Sequence, residues 1–208
     1  MEKIMLAVPY IIAVLIGYCF GCINPAYIFA KFKGVNILEE GSHNPGASNA
    51  TLTMGWKIGF LVGILDILKG FAAVMISKAI FPEAVAVGAA AGVACVLGHI
   101  FPITHKLRGG KGFAAFLGMV LALDWRLFLA IGVGIIVITL ITDYIALSTL
   151  AAVIAEPVLL ACVKAQYVAM AIVCVASLVI ILRHTENFKR ILKGEEKGVK
   201  ESLFKKKA

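Results

Sequence analysis

Three short polar segments of this chain combine small residues, amides and cations at spacings suited to holding anions. The first reads Gly41-Ser42-His43-Asn44-Pro45-Gly46-Ala47-Ser48-Asn49. Its small residues let the backbone approach a ligand, and its Ser and Asn side chains add short donors, as in a nest of N–H groups. A plain turn would have the same composition. The second holds Gly98-His99-Ile100-Phe101-Pro102 and then Arg108-Gly109-Gly110-Lys111-Gly112. Glycines beside a lysine at the start of an apolar helix suit phosphate, through backbone N–H groups, the helix N-terminus and a full positive charge. A flexible loop carrying charge that orients the chain in a membrane is the bland alternative. The third runs from Arg183 and His184 through Asn187 to Lys193-Gly194-Glu195-Glu196-Lys197. On a helical turn His184 and Asn187 share a face, and His184 is a candidate base or phosphate donor. A solvated helix beside the membrane gives the same pattern.

The segments that must position these residues are apolar. Of 208 residues 61% are hydrophobic and 15% charged, with a mean hydropathy of +0.97. Soluble domains sit near ~45–50% and ~25%. A disordered chain, a disulfide-knotted module and an ordinary cytosolic enzyme are excluded. Apolar stretches fall at 4–30, 58–81, 84–103, 113–123, 127–142, 144–163 and 165–182. They are solid runs without the alternation of a membrane barrel, so helices are the spanning option. All of the 20 Lys and Arg residues except Lys3, Lys69, Lys78, Arg126 and Lys164 lie in 31–57, 104–112 or 183–208. Basic residues favour the cytoplasmic side. Keeping all three stretches there requires 113–123 to cross, although eleven residues is short. The expectation is an all-α polytopic membrane protein, a single domain over 1–208. It has seven short transmembrane helices, the N-terminus outside and the motif loops cytoplasmic.

The remaining chemistry-bearing residues have plainer readings. Cys19 and Cys22 have CxxC spacing, but small packing thiols suit an apolar helix better than redox chemistry. The run from Ile4 past Ile23 exceeds a signal-peptide core. Asp66 and Lys69 lie three apart inside the second span and read as a structural ion pair. Glu156-Pro157 reads as a kink with a cavity-facing acid or as a short span. The net charge of +8 suits anionic lipid, and no soluble basic domain exists for nucleic acid. No GxxxxGK[ST] loop is present, so nucleotide hydrolysis has no support.

Taken together in order, the three segments resemble those of the PlsY family, the bacterial acyl-phosphate:glycerol-3-phosphate acyltransferases. The family patterns run GSGNxGATN, GHxFPxFxxFxGGKG and RHxxNIxRLLxGxExK. Here they read GSHNPGASN, GHIFPITHKLRGGKG and RHTENFKRILKGEEK, and a family-like D-x-x-K-G stands at Asp66, Lys69 and Gly70. The resemblance implies transfer of a fatty acyl group from acyl phosphate to the 1-hydroxyl of glycerol 3-phosphate, with no metal or other cofactor. It implies catalytic roles for Ser42, Lys111, His184 and Asn187. Asn44, Gly46, Ser48, Asn49, Gly109, Gly110, Gly112 and Glu196 would bind substrate or brace the site. The implied partners are the two substrates and membrane lipid, in a bacterial cell membrane. The family is thought to use a substrate phosphate as proton acceptor, with His184 as base the rival.

Four positions depart from the pattern. His43 replaces a glycine, Ser48 a threonine and Ala115 a threonine, and Leu52 stands where the family has a phosphate-binding arginine. Losing a charge-assisted contact of that kind is not conservative, and Lys57 is a nearby candidate substitute. Two other classes compete: a small organic-anion transporter, and a non-catalytic paralogue that binds phospholipid or acyl phosphate. The HxxxxD acyltransferase type is excluded, because no aspartate lies five residues after His43, His99, His105 or His184.

Overall fold

The structure is a computed structural model that describes residues 2–163 and 166–200. Lys164 and the lysines at 205, 206 and 207 lie outside the described residues. Among those described, ten α-helices and one 3-10 turn follow one another. They are α1 (Glu2–Cys22), α2 (Pro25–Lys33), α3 (Ala47–Met54), α4 (Trp56–Ile80), α5 (Val87–Ile100), the 3-10 turn (Ile103–His105), α6 (Phe113–Leu123), α7 (Trp125–Thr142), α8 (Ile145–Cys162), α9 (Tyr167–Arg183) and α10 (Thr185–Lys193).

Five stretches are long and apolar enough to cross a bilayer: Leu6–Lys33, Trp56–Ile80, Val87–His105, Trp125–Thr142 and Ile145–Cys162. The pair α9 and α10, bent by 43°, passes the same test only when the two helices are taken together. The eleven-residue α6 falls below that length. The run expected at 4–30 is not one uninterrupted helix. It breaks at Ile23–Asn24, where Pro25 lacks the N–H a helix interior needs and suits a helix start. Asn24 caps α2 by accepting from the N–H groups of Ala26 (3.0 Å) and Tyr27 (3.3 Å).

α5 forms the centre, and Leu97 is its sole residue that is not buried. Its alanines and glycines let neighbouring backbones approach closely, as small residues do between membrane helices. A Cβ on Gly17 or Gly21 of α1 would strike the carbonyl oxygens of Ala91 or Cys95, and one on Gly98 would strike Tyr18. α6 packs onto α4 in the same way, with Gly118 against the Ile67 carbonyl and Gly70 against that of Ala115. α7 is peripheral. Its Leu129, Val133, Ile136, Leu140 and Ile141 point outward, which fits a lipid-facing surface. The five cysteines are all free, with Cys22 and Cys95 buried.

Candidate active site

The polar segments converge at one end of the bundle. Lys111, between α5 and α6, donates from Nζ to Oδ1 of Asn187 on α10. Asn187 donates from Nδ2 to Oε1 of Glu196 (2.5 Å), and Arg190 donates from Nε to its Oε2 (2.6 Å). Glu196 thus braces the third segment by holding two side chains of α10. Burial pushes the Lys111 ammonium down to about 8, with Arg190 and Arg183 acting the same way and Glu196 opposing them. A desolvated ammonium with one side-chain partner is poised to take up an anion.

His184 sits at the bend between α9 and α10 and is buried. Its Nδ1 lies 2.8 Å from the Ile180 carbonyl. A carbonyl only accepts, so Nδ1 carries the proton and Nε2 is the free acceptor. Burial pushes its imidazolium down to about 4, with the Lys111 charge acting the same way. At neutral pH this ring is uncharged.

The first segment keeps its shape through Asn49. This buried side chain accepts from the Ser42 N–H (2.6 Å) and donates to the carbonyls of Ile37 and Glu40 (3.0 Å each). Its amide is therefore spent on the loop, which it braces. The open nest expected here is also reduced. The Ser42 N–H goes to Asn49, the His43 N–H to Glu40 and the Gly46 N–H to Asn44. Ser42 and Ser48 are exposed, Asn44 half-buried, and Gly46 caps α3.

The second segment is likewise tied to its neighbours. The N–H of Gly109 donates to the Ile100 carbonyl and that of Gly110 to the His99 carbonyl (3.1 Å each). These two N–H groups staple the loop to the end of α5. Arg183 Nη2 also reaches the Gly109 carbonyl (3.4 Å). The glycines are needed for contact, because a Cβ on Gly110 would meet His99 Nε2 and one on Gly109 the His99 carbonyl oxygen. Gly112, at φ 86°, turns the chain into α6, whose first-turn N–H groups have no carbonyl within the helix.

Beneath this loop lies a buried cluster. Lys69 Nζ is 2.8 Å from Asp66 Oδ1 and 2.8 Å from His99 Nδ1, and it donates to the carbonyls of Gly21 (3.3 Å) and Ile23 (2.7 Å). The ion pair read from the sequence is present. The addition of His99 ties α1, α4 and α5 together below the phosphate-suited loop. Asn24 continues the tie by donating from Nδ2 to the Pro45 carbonyl (3.2 Å).

A cavity of about 740 Å³ opens beside the Arg190–Glu196 pair, within the ~300–1,000 Å³ of ligand pockets. Ser42, Ser48, Arg190, Glu196 and Lys197 contribute polar atoms. One face of α4 supplies Trp56, Gly59, Phe60, Gly63, Ile64 and Ile67. That stripe is roughly 16 Å long at 1.5 Å per residue, about half of a ~30 Å hydrocarbon core. Leu52 lines the cavity too. Lys57 does not substitute there, because its Nζ rests 5.9 Å from the Trp56 ring centre; Arg190 and Lys197 are the cations on the wall.

The family model described as glycerol-3-phosphate acyltransferase matches residues 11–194. The chain belongs to the glycerol-3-phosphate acyltransferase family. Glycerol-3-phosphate acyltransferase 1 of Oceanobacillus iheyensis is 38% identical over 212 residues, covering 96% of this chain and 99% of that one. Glycerol-3-phosphate acyltransferase 2 of Thermotoga maritima is 38% identical over 192 residues, 92% and 96% of the two chains. A crystal structure of PlsY (YgiH), an integral membrane glycerol 3-phosphate acyltransferase in its glycerol 3-phosphate form, superposes with a TM-score of 0.86 at 34% identity, covering 91% and 94%. Its lysophosphatidic acid form gives 0.82 at 35% identity, with the same coverage. The chain is thus a multi-pass membrane acyltransferase that acts on glycerol 3-phosphate. Within this acyltransferase the residues outside the expected set include His99, Arg190 and Lys197, placed by quoted motifs but given no role there, and Asp143, which no motif marks.

Proposed function

We propose that the chain transfers a fatty acyl group from acyl phosphate to the 1-hydroxyl of glycerol 3-phosphate at the cytoplasmic face of a bacterial cell membrane. The observation that carries this reading is one contiguous arrangement: the Lys111–Asn187–Glu196–Arg190 network adjoining a cavity with a long apolar wall. The apolar stripe of α4 takes the acyl chain. Lys111 and the first turn of α6 hold a phosphate, and Asn187 orients Lys111. Ser42, Ser48 and Lys197 face the second phosphate from across the cavity. Asn44 and Gly46 support the first loop from the start of α3.

In the step proposed, the glycerol 1-oxygen attacks the acyl carbonyl carbon and the carbonyl–phosphate bond breaks. Phosphate leaves with the electron pair, and the hydroxyl proton passes to a substrate phosphate. The anhydride is already activated, so positioning and charge stabilisation carry the catalysis. A His184 whose conjugate acid lies near 4 is a weak base at neutral pH, which favours substrate phosphate as the proton acceptor.

The seven-span topology with the N-terminus outside belongs to the same proposal, with 1–208 acting as one domain. Lys111 touches Asn187, and the turn at Asp143 touches Val199. These contacts support a chain that leaves this end and returns to it between 112 and 143, with α6 as the outward and α7 as the inward crossing. The short α6 is shielded by α4 and α5, and irregular backbone at membrane depth is tolerated where protein covers it.

The test is purified protein supplied with palmitoyl phosphate and glycerol 3-phosphate, beside Lys111→Ala. Lysophosphatidic acid and phosphate are expected from the unmodified chain alone. No product with any acyl phosphate would sink the donor assignment.

A further inference from the structure

The cavity wall formed by Glu195, Glu196, Lys197 and Val199 is a strap: residues 195–198 have no regular secondary structure. It leaves α10 at Gly194, where the Glu195 N–H returns to the Arg190 carbonyl (2.8 Å). Asp143 holds its far end. The Asp143 carbonyl accepts from the Val199 N–H (2.9 Å), and Asp143 Oδ1 accepts from the Lys200 N–H (3.1 Å). A Cβ on Gly198 would strike the Asp143 carboxylate, so the strap lies flat against this side chain. Asp143 ends α7 at φ 64°. Glycine takes this left-handed conformation without steric cost, and Asp and Asn tolerate it better than most residues. A glycine would close the turn equally well but would lack the carboxylate. The three residues after it, Tyr144, Ile145 and Ala146, also line the cavity.

We propose that Asp143 is a positioning residue for acyl transfer: it clamps the strap across the cavity so that Glu196 braces Asn187 and Lys111, and Lys197 faces the bound substrate. The inference rests on the reading of this cavity as the substrate site. Two bonds from one residue fix the strap 3 to 4 positions beyond Glu196. The effect then passes through Glu196, which holds Asn187 Nδ2 and Arg190 Nε on separate carboxylate oxygens. Small displacements at such a distance from the reacting atoms cost large rate factors.

Three full-length variants in a membrane mimic test this: Asp143→Gly, Asp143→Asn and Gly198→Ala. Hydrogen exchange at the Val199 and Lys200 amides is read with thermal midpoint, kcat and KM. Asp143→Gly is expected to keep the midpoint, lose protection at Lys200, and lose about 10- to 100-fold in kcat/KM, mainly by raising KM. Asp143→Asn keeps the Oδ1 acceptor and should recover most of that loss. Gly198→Ala should resemble Asp143→Gly. Unchanged kcat/KM in Asp143→Gly would overturn the proposal, as would activity and midpoint falling together, or an Asn variant as impaired as the Gly variant. The two readings fail separately. Unmodified protein with protected Val199 and Lys200 but no acyl transfer would sink the reaction and not the strap, whereas rapid exchange there in an active enzyme would sink the strap alone.

Discussion

The protein contains two lysine-centred clusters built from the same kinds of parts, and their uses differ because one is saturated and the other is not. Lys69 is 6% exposed and meets Asp66, His99 and two backbone carbonyls. Every direction in which its ammonium could donate is occupied by protein. Lys111 is half-buried and has one side-chain partner, Asn187, which is itself held by Glu196. A buried charge fully matched by its surroundings fastens helices together. A partly matched charge, linked through Asn187 to Glu196 on a cavity wall, is free to attract an anion. The number of partners around each lysine, more than the kind of residues, separates the brace from the site.

Exchanging the two lysines for apolar residues should break the comparison most clearly. Lys69→Met strands Asp66 in the interior and removes the donor to two carbonyls at the C-terminal end of α1. Removing one partner of a buried pair costs about 3–5 kcal/mol, so the variant should unfold at markedly lower temperature in a thermal scan. Lys111→Met removes a charge that burial already disfavours, so its thermal midpoint should stay close to that of the parent. Its kcat/KM should fall by about 100- to 1,000-fold, the usual loss when one stabilising donor is removed from a reacting centre. Equal unfolding by both variants, or an active Lys111→Met, would erase the distinction.

The pH profile sharpens the same contrast. Lys111 must be protonated to hold phosphate, and its pKa is pushed down to about 8. Activity should therefore fall as pH rises through about 8. The charged groups acting on Lys111 are Glu196, Arg190 and Arg183. Of these Glu196 alone raises its pKa, so Glu196→Gln should move the alkaline limb to lower pH. A limb that stays in place would remove Glu196 from the electrostatics of the site.

His184 gives a smaller effect. If substrate phosphate accepts the proton, His184→Gln should cost only a few-fold in kcat, because it removes one hydrogen-bonding ring and no charge. The rate should also lack an acid limb near 6.5, the ordinary histidine value. A loss of about 100-fold with a reshaped profile would restore the base role.

Much of this comparison was legible in the sequence, for identifiable reasons. Helix existence followed from solid apolar runs, and α6 begins and ends at Phe113 and Leu123, the limits of the uncharged run that foretold it. The break at Asn24–Pro25 went unread because the run was judged by hydropathy, although an Asn before a Pro is a helix-start signal. Lys111, Asn187 and Glu196 were found by motif. The spending of the N–H groups of Gly109 and Gly110 on α5 was not, because sequence gives no information on where a loop's donors point. The same holds for Asn49, whose residue type suits a ligand and a brace equally. Asp143 was invisible: it lies in no motif, and its partners at 199 and 200 are more than fifty residues away in the chain.

The mildest test concerns the wall opposite the strap. Leu52 stands on the cavity surface among the apolar side chains of α4, at a position where the sequence pattern calls for arginine. The cations left on the wall are Arg190, already paired with Glu196, and Lys197. Leu52→Arg would place a guanidinium within the same cavity, able to meet a phosphate through two parallel N–H donors. The site is open to water, so the gain is limited to roughly 0.5–1 kcal/mol, a two- to fivefold lower KM for glycerol 3-phosphate. Screening should shrink that gain as salt rises from low ionic strength to about 1 M, where the Debye length drops to ~3 Å. Repulsion from Arg190 and Lys197 works against it, so Leu52→Arg combined with Lys197→Ala should show whether the two positions serve the same phosphate. If they do, the second change costs less in the arginine background than in the parent. If the two effects simply add, Leu52 and Lys197 face different parts of the substrates, and the strap rather than α3 carries the acceptor's charge in this chain.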